Sequence, residues 1–160
     1  MPRLTILAPM TGRVLPMDDV PDPVFSERML GDGLAIDPSE GVAVAPIAGT
    51  LTVLHSAGHA FAIETTGPRI GVLVHVGLET VSLDGRGFER LAQVGDVLAV
   101  GDPIVRFDLG AIRAAGLSAI SPVVLPQLDP SATVAPTTAT EVRAGLDVLL
   151  TVELPEPAAG

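Results

Sequence analysis

Apolar residues along this chain fall in short runs, and each run is closed by Gly, Pro or Asp. Runs of this length between turn-forming residues are typical of β-strands rather than helices. The pattern predicts strands at Leu4–Leu7, Arg13–Leu15, Gly33–Ile36, Gly41–Ala45, Thr50–Leu54, Ala60–Glu64, Ile70–Val76, Val81–Leu83, Val97–Val100, Ile104–Phe107, Val123–Leu125, Thr133–Val134 and Val148–Val152. Only the segments Gly87–Ala92 and Leu109–Gly116 have a helical pattern, each of about two turns or less. The pattern therefore predicts an all-β sandwich or barrel with one or two short helices.

The glycine and proline content supports this interpretation. The 160 residues include 17 Gly and 15 Pro, which interrupt long helices and argue against a helical bundle. Some of them belong to a turn sequence that occurs twice: Ala8–Gly12 reads APMTG and Ala45–Gly49 reads APIAG, each leading into a predicted strand. Similar turns occur in biotinyl and lipoyl carrier domains, which attach their cofactor to a hairpin lysine. This chain contains no lysine, so a swinging-arm carrier of that type is excluded.

Charge and cysteine usage exclude further classes of protein. Nine arginines against nineteen acidic residues give a formal net charge of −10, which disfavours binding to nucleic acid or to an anionic membrane. The absence of cysteine removes disulfide frameworks, thiolate nucleophiles and cysteine-ligated zinc. The N-terminus lacks the pattern of a signal peptide, and no segment offers about 18 uninterrupted apolar residues to span a bilayer. We expect a soluble cytoplasmic protein with no direct membrane insertion.

A chain of this length is expected to form one domain. The predicted domain covers residues 1–152, because the last predicted strand ends at Val152. Residues 153–160 are rich in Pro and Ala and have little apolar surface to bury. We interpret them as a tail or linker.

Three histidines are the side chains of this protein that titrate near neutral pH: His55, His59 and His75. His59 comes just before one predicted strand and His75 lies near the end of the next, with the predicted turn Thr65–Pro68 between them. An undistorted antiparallel hairpin centred on Gly67 places His59 directly opposite His75, with Cβ atoms about 4.5–5.5 Å apart. Both imidazoles would then reach one small ligand or one phosphoryl group.

Two chemistries are open to such a pair in a chain without lysine or cysteine. One is zinc binding. Catalytic zinc needs at least three protein ligands, so a zinc-dependent β-sandwich hydrolase would have to recruit His55. Without a third ligand, His59 and His75 could still bind adventitious zinc. The other chemistry is covalent phosphoryl transfer, in which one neutral ring attacks phosphorus and the second stabilises the oxygens. That use needs a fixed acceptor for the nucleophile's other nitrogen, such as a backbone carbonyl near Gly77.

The residues around the last histidine carry a family resemblance. Leu73–Val81 reads LVHVGLETV and is similar to the active-site histidine signature of glucose-class enzyme IIA domains of the bacterial phosphoenolpyruvate:sugar phosphotransferase system. Supporting segments follow in the family's order: Ala8–Gly12, Val20–Phe25, Gly31–Ile36, Ala45–Thr50, His59–Phe61, Gly87–Phe88, Gly101–Asp102, Phe107–Asp108 and Pro122–Val124. The resemblance covers roughly residues 4–152. It implies an antiparallel β-sandwich, or barrel-sandwich hybrid, which agrees with the strand pattern.

The resemblance implies a phosphotransferase component with a phosphohistidine intermediate and no cofactor. In that family the residue matching His75 accepts a phosphoryl group on Nε2 from phospho-HPr and passes it to a cysteine of the permease IIB domain. His59 matches the histidine that supports the phosphoryl group, Gly77 the glycine whose carbonyl holds the nucleophile's Nδ1, and Thr80 the threonine after it. Unphosphorylated relatives also inhibit transporters and kinases, so a purely regulatory binder is a further alternative. The domain does not meet the sugar, so glucose and N-acetylglucosamine are equally compatible with it.

The same resemblance places a docking surface around the histidines. HPr presents arginines around its own phosphohistidine, so an acidic rim with an apolar centre would complement it. The acidic candidates are Asp22 and Glu79, and the apolar candidates are Val24, Phe25, Met29, Leu30, Leu73 and Val81. Taken alone, each apolar residue is also consistent with a core position, Phe25 above all.

The chain departs from the family pattern at three places near the histidines. Ala57 stands where many relatives have threonine, which removes a hydroxyl from the imidazoles. His55 occupies a position of the docking surface that is often apolar. The segment between His59 and His75 is one residue longer than in many relatives, and an extra residue can shift the register of a hairpin.

Overall fold

The computed structural model describes residues 3–65 and 70–155. Its strands are β1 (Arg3–Leu7), β2 (Gly12–Pro16), β3 (Asp32–Pro38), β4 (Val42–Val44), β5 (Gly49–Leu54), β6 (Ala60–Glu64), β7 (Gly71–His75), β8 (Phe88–Arg90), β9 (Val97–Leu98), β10 (Pro103–Phe107), β11 (Ser121–Leu125), β12 (Thr133–Pro136), β13 (Glu141–Val142) and β14 (Val148–Glu153). Its helices are α1 (Pro23–Ser26), α2 (Leu109–Ala114) and the 3-10 helices Met17–Asp19 and Thr80–Leu83.

The strands form three antiparallel sheets. The largest has the order β13-β2-β3-β11-β7-β6-β5-β9, and the two smaller ones have the orders β1-β14-β12 and β4-β10-β8. Every pairing between these strands is antiparallel. The prediction of an all-β antiparallel fold with one or two short α-helices is confirmed. No helix within the two described ranges is long and apolar enough to cross a membrane.

The last strand and the predicted tail meet at Glu153. β14 extends to this residue, which pairs with Arg3 of β1 through the backbone register and through an ion pair of 2.6 Å. Residues 156–160 of the predicted tail lie outside the described residues, as do residues 66–69, which include most of the predicted turn Thr65–Pro68.

The largest sheet is covered on both faces. Side chains alternate along β3 and β11, so that Ile36 and Val123 enter the main aliphatic core while Ala35 and Val124 face the other side. On that other side lies a smaller core, the second cluster, which is built from Met17, Val20, Phe25, Ala35, Leu78 and Val124. The second cluster includes a residue just after the end of β7, so it packs directly beneath the candidate site.

Two predicted elements are wrong because features beyond the local pattern direct the chain. Val81–Leu83 is predicted as a strand but belongs to the 3-10 helix Thr80–Leu83, since Gly77 and Glu79 both have positive φ and end the extended backbone. Gly87–Ala92 is predicted as a helix but contains β8, which pairs with β10 through Phe88 and Phe107. β10 pairs with β4 on one side, and β8 satisfies the backbone groups on its other side, which a two-turn helix would leave without a strand partner.

The short helix α1 is absent from the sequence prediction although its start signal is present. The Asp22 carboxylate accepts a hydrogen bond from the Val24 N–H at 3.0 Å, and Pro23 occupies the first helical position. An aspartate cap followed by proline is a common helix start. The helix has only four residues, too few for a 3.6-residue period to show in the sequence.

Candidate active site

His75 is the last residue of β7, and the chain turns back immediately after it. Its Nδ1 lies 2.6 Å from the carbonyl oxygen of Gly77. A carbonyl oxygen only accepts hydrogen bonds, so Nδ1 carries the proton of the neutral ring. The other nitrogen, Nε2, is therefore left with an unprotonated lone pair, the form that a nucleophilic imidazole requires.

The peptide of Gly77 is held from the neighbouring strand β11. The Gly77 N–H donates to Ser121 Oγ at 3.0 Å, and the Ser121 hydroxyl donates to the Ala119 carbonyl at 2.8 Å. Ser121 is completely buried. This serine is not among the residues expected from the sequence, although it is a lone hydroxyl at the start of the apolar run of β11. Through Gly77 it fixes the acceptor that orients His75.

Thr80 packs under the same turn. Its side chain is buried, and its hydroxyl donates to the Val76 carbonyl at 2.5 Å. A Cβ at position 77 would lie 2.6 Å from the Thr80 Cγ2 methyl, so the methyl fills the space that glycine leaves. In this structure the Thr80 hydroxyl is engaged with the backbone, and its contacts support the shape of the turn.

His59 lies beside His75, but the predicted register is wrong by one residue. Ala60 pairs with His75, and His59 faces Val76, whose N–H donates to the His59 carbonyl at 2.7 Å. The two rings nevertheless approach to 5.2 Å between centroids, nearly edge to face. His59 precedes the first residue of β6, so its side chain is not bound to the alternation of the strand. The preceding Gly58 has a φ of +86°, so the backbone is not extended just before His59.

The environment keeps the ring of His59 neutral. Only 5% of His59 is exposed, and its Nδ1 has no hydrogen-bond partner among the described residues. Burial, helped by the nearby imidazoles of His55 and His75, lowers the pKa of His59 to about 4. The ring therefore carries no charge at neutral pH.

Burial also lowers the pKa of His75, and smaller effects act in both directions. The hydrogen bond to the Gly77 carbonyl and the charge of Asp22 oppose the decrease, while His55 adds to it. The net direction is downward. His75 is thus in its nucleophilic form around neutral pH.

His55 is the third imidazole of the cluster. Its side chain is exposed, and its ring centroid lies 4.1 Å from that of His59. Its Nδ1 accepts a hydrogen bond from the Ala57 N–H at 3.0 Å. Ala57 itself offers no hydroxyl to the imidazoles, as expected from the sequence.

The predicted docking residues differ in their exposure, and two of them, Phe25 and Asp22, act directly on His75. Phe25 is buried in the second cluster, and its ring centroid is 5.6 Å from that of His75, so it forms a wall of the site. Asp22 and Leu73 are half-buried. The exposed members are Val24, Met29, Leu30, Glu79 and Val81. Met29 and Val81 have the largest exposed fractions of the apolar members, 68% and 54%.

The described residues do not form a metal site around these histidines. No group of three or more His, Cys, Asp or Glu side chains within residues 3–65 and 70–155 is placed to hold a metal ion. The three-ligand arrangement that a zinc hydrolase needs is not assembled there.

Comparisons with known proteins agree with this geometry. Residues 4–130 match the family model described as phosphoenolpyruvate-dependent sugar phosphotransferase system, EIIA 1. The chain is 41% identical over 149 residues to a PTS system glucose-specific EIIA component of Halalkalibacterium halodurans, covering 93% of this chain and 86% of the relative. It is 46% identical over 125 residues to the component of the same name from Bacillus cereus, covering 78% and 75%.

A solved structure shows the same fold. Glucose permease IIA from Mycoplasma capricolum superposes with a TM-score of 0.87 at 37% identity, covering 94% of this chain and 96% of that one. The strand order, the histidine pair and the sequence matches point to one family. The chain therefore belongs to the EIIA 1 family of the phosphoenolpyruvate-dependent sugar phosphotransferase system, and it is a phosphoryl-carrier component of that system.

Proposed function

We propose that this chain carries its phosphoryl group on Nε2 of His75, taking it from phospho-HPr and passing it to a cysteine of a permease IIB domain. The observation that supports this most directly is the 2.6 Å contact between His75 Nδ1 and the Gly77 carbonyl. It assigns the proton to Nδ1 and the lone pair to Nε2.

Each transfer is a displacement at phosphorus. The Nε2 lone pair forms a P–N bond, the bond from phosphorus to the HPr histidine breaks, and its electron pair remains on the HPr ring. In the second transfer a IIB thiolate forms a P–S bond, and the electron pair of the P–N bond returns to Nε2. His75 keeps its Nδ1 proton throughout, because the Gly77 carbonyl accepts a hydrogen bond from that N–H. Such transfers depend mainly on positioning and electrostatics.

His59 is placed to support the transferred group. Its ring lies 5.2 Å from His75, and it is neutral, so one ring N–H is available to donate to a phosphoryl oxygen. Phe25 also contacts His75 and adds an apolar ring to its surroundings. Gly77 and Thr80 act on the nucleophile through the turn that follows β7.

The family and the surface chemistry support these partners. Asp22 is half-buried and Glu79, Met29 and Val81 are exposed, and acidic and apolar side chains of this kind suit the arginines and apolar surface of HPr. The relatives are named glucose-specific, so we infer a permease of the glucose group as acceptor. A chain that exchanges phosphate with HPr would act in the cytoplasm. We propose that the predicted domain of residues 1–152 also includes Glu153, where β14 ends, and that the Pro- and Ala-rich residues after it are a linker.

The test is phosphorylation with phosphoenolpyruvate, enzyme I and HPr, followed by a chase with a IIB domain. The wild type should acquire an acid-labile phosphate, and His75→Ala should acquire none, because the nucleophile is removed. His59→Ala should still be labelled but fail in transfer to IIB. Full labelling of His75→Ala would overturn the assignment of the nucleophile, and loss of labelling in His59→Ala as well would mean that the two roles are misassigned.

A further inference from the structure

His55 takes no part in the phosphoryl transfer proposed for His75 and His59, although its ring contacts one of them. Its imidazole lies against that of His59, with centroids 4.1 Å apart and ring planes inclined by 54°. His55 is exposed while His59 is 5% exposed. An exposed ring thus packs on the buried imidazole of the site.

The two site histidines are held in different ways. His75 is oriented by the hydrogen bond from Nδ1 to the Gly77 carbonyl. The buried Nδ1 of His59 has no hydrogen-bond partner within the described residues, so no hydrogen bond fixes that end of its ring. The aromatic contacts of His59 among the described residues are with His55 and His75, so these two rings are neighbours that can set its orientation.

His55 is itself firmly placed. Its Nδ1 accepts the Ala57 N–H at 3.0 Å, and its backbone carbonyl accepts the Gly58 N–H at 2.8 Å. Its own N–H donates to the Ala60 carbonyl at 2.9 Å, which joins the turn to β6. One bond thus holds the ring and two hold the backbone of His55, which gives His59 a fixed surface to pack against.

We propose that His55 is a positioning residue, whose ring packs on His59 and holds that imidazole where it supports the phosphoryl group on His75. The proposal rests on the proposed function and extends it to a residue outside the histidine pair. The low pKa of His59 is consistent with this role, because burial is its largest cause and His55 provides part of the cover.

Two substitutions separate the ring from the hydrogen bond that His55 makes. His55→Phe keeps an aromatic ring on His59 but removes the acceptor for the Ala57 N–H. His55→Asn removes the ring but keeps an acceptor, because an asparagine oxygen readily bonds the N–H two residues ahead. His55→Tyr is a second ring-bearing variant, and Ser56→Ala is an exposed neighbouring control.

The first readout is the rate of phosphoryl transfer from the labelled protein to IIB. His55→Asn should lower this rate about tenfold, since a displaced supporting group costs one to two orders of magnitude. The ring-bearing variants and Ser56→Ala should stay within about twofold of the wild type. Equal rates in all variants, or a loss in His55→Phe but not in His55→Asn, would overturn the proposal.

The second readout does not depend on phosphoryl transfer. An NMR titration of the unphosphorylated variants should show a low pKa for His59 in His55→Phe and a pKa closer to 6.5 in His55→Asn, where the cover is lost. A His59 pKa unchanged in His55→Asn would overturn the packing role. If the wild type itself takes no phosphate from HPr, the proposed function fails, and the titration still decides whether His55 holds His59.

Discussion

At Gly77 the backbone determines the chemistry of a neighbouring side chain. The carbonyl of this residue fixes the proton of His75 on Nδ1, and it points correctly because the residue has a φ of +72°. Thr80 Cγ2 and the Ser118 carbonyl would lie 2.6 and 2.9 Å from a Cβ at this position. Both the backbone angle and the space therefore require glycine here.

We expect Gly77→Ala to lose both stability and phosphate acceptance. Gly116→Ala is the matched control, because Gly116 has a φ of +74° but a Cβ added there would meet no heavy atom within 4 Å. The control should lower the free energy of unfolding by about 1–2 kcal/mol through backbone strain. Gly77→Ala should lose about 1–3 kcal/mol more through overpacking.

Urea unfolding measures the two losses, and labelling with phospho-HPr measures the function of each variant. Gly116→Ala should be labelled like the wild type, while Gly77→Ala should be labelled more slowly because the acceptor of the Nδ1 proton moves. Equal unfolding free energies for the two variants would show that the turn accommodates the methyl group.

At the level of the elements, the site depends on β7 ending beside the start of β11. β11 pairs with β7 at Val123 and Val74, and continuing that register brings Ser121 to the turn after β7. The Ser121 hydroxyl then bridges the Gly77 N–H and the Ala119 carbonyl. The two strand ends are thereby joined beneath the nucleophile.

Ser121→Ala removes a single hydroxyl group, yet it should lower both the stability of the protein and its phosphate acceptance. The substitution leaves the buried Gly77 N–H without its acceptor, which should cost about 1–3 kcal/mol in the free energy of unfolding. Phosphate acceptance should fall as well, because Gly77 is released. Ser39→Ala, at an exposed serine with a long 3.4 Å bond to the Thr11 carbonyl, serves as control. A Ser121→Ala protein as stable and active as this control would contradict the bridging role.

Across the protein as a whole, much of the positive charge is paired. Five of the nine arginines form ion pairs among the described residues: Arg3, Arg13, Arg28, Arg106 and Arg143. The net charge of −10 is thus carried by an excess of carboxylates. Asp22 is one of them, and its negative charge acts to raise the pKa of His75, against the effect of burial. A basic partner would be attracted to this surface.

We predict that the rate of phosphoryl transfer from HPr falls as salt is added, because screening weakens the attraction between partners of opposite charge. Asp22→Asn should lower the rate about three- to tenfold at low ionic strength and reduce its dependence on salt. Asparagine can still cap α1, so the substitution mainly removes charge.

Glu141→Gln removes the same charge from β13, at the edge of the largest sheet and four strands from β7. Stopped-flow rates at several salt concentrations compare the two variants. If both lower the rate equally, the effect belongs to the net charge and not to the surface around His75.

Local sequence was enough to establish the fold class. Strand period and turn residues are local properties of the chain, so they identify an all-β protein, and the absence of lysine and cysteine leaves His59 and His75 as its candidate reactive pair. The motif around His75 also indicated the family, which the comparisons confirm. The helix assigned to Gly87–Ala92 and the strand at Val81–Leu83 were wrong, because strand pairing with β10 and residues with positive φ overrode the local pattern.

The assembly of the site, in contrast, came from the folded chain alone. The register of the histidine hairpin differs by one residue from the predicted register. This shift depends on the path of the chain at Gly58, which the alternation of apolar and polar residues does not reveal. The bond from Gly77 to Ser121 joins residues 44 positions apart, and the packing of His55 on His59 depends on the same turn as the register. Contacts of this kind follow from which strands are neighbours, and this is a property of the folded sheet rather than of any single segment.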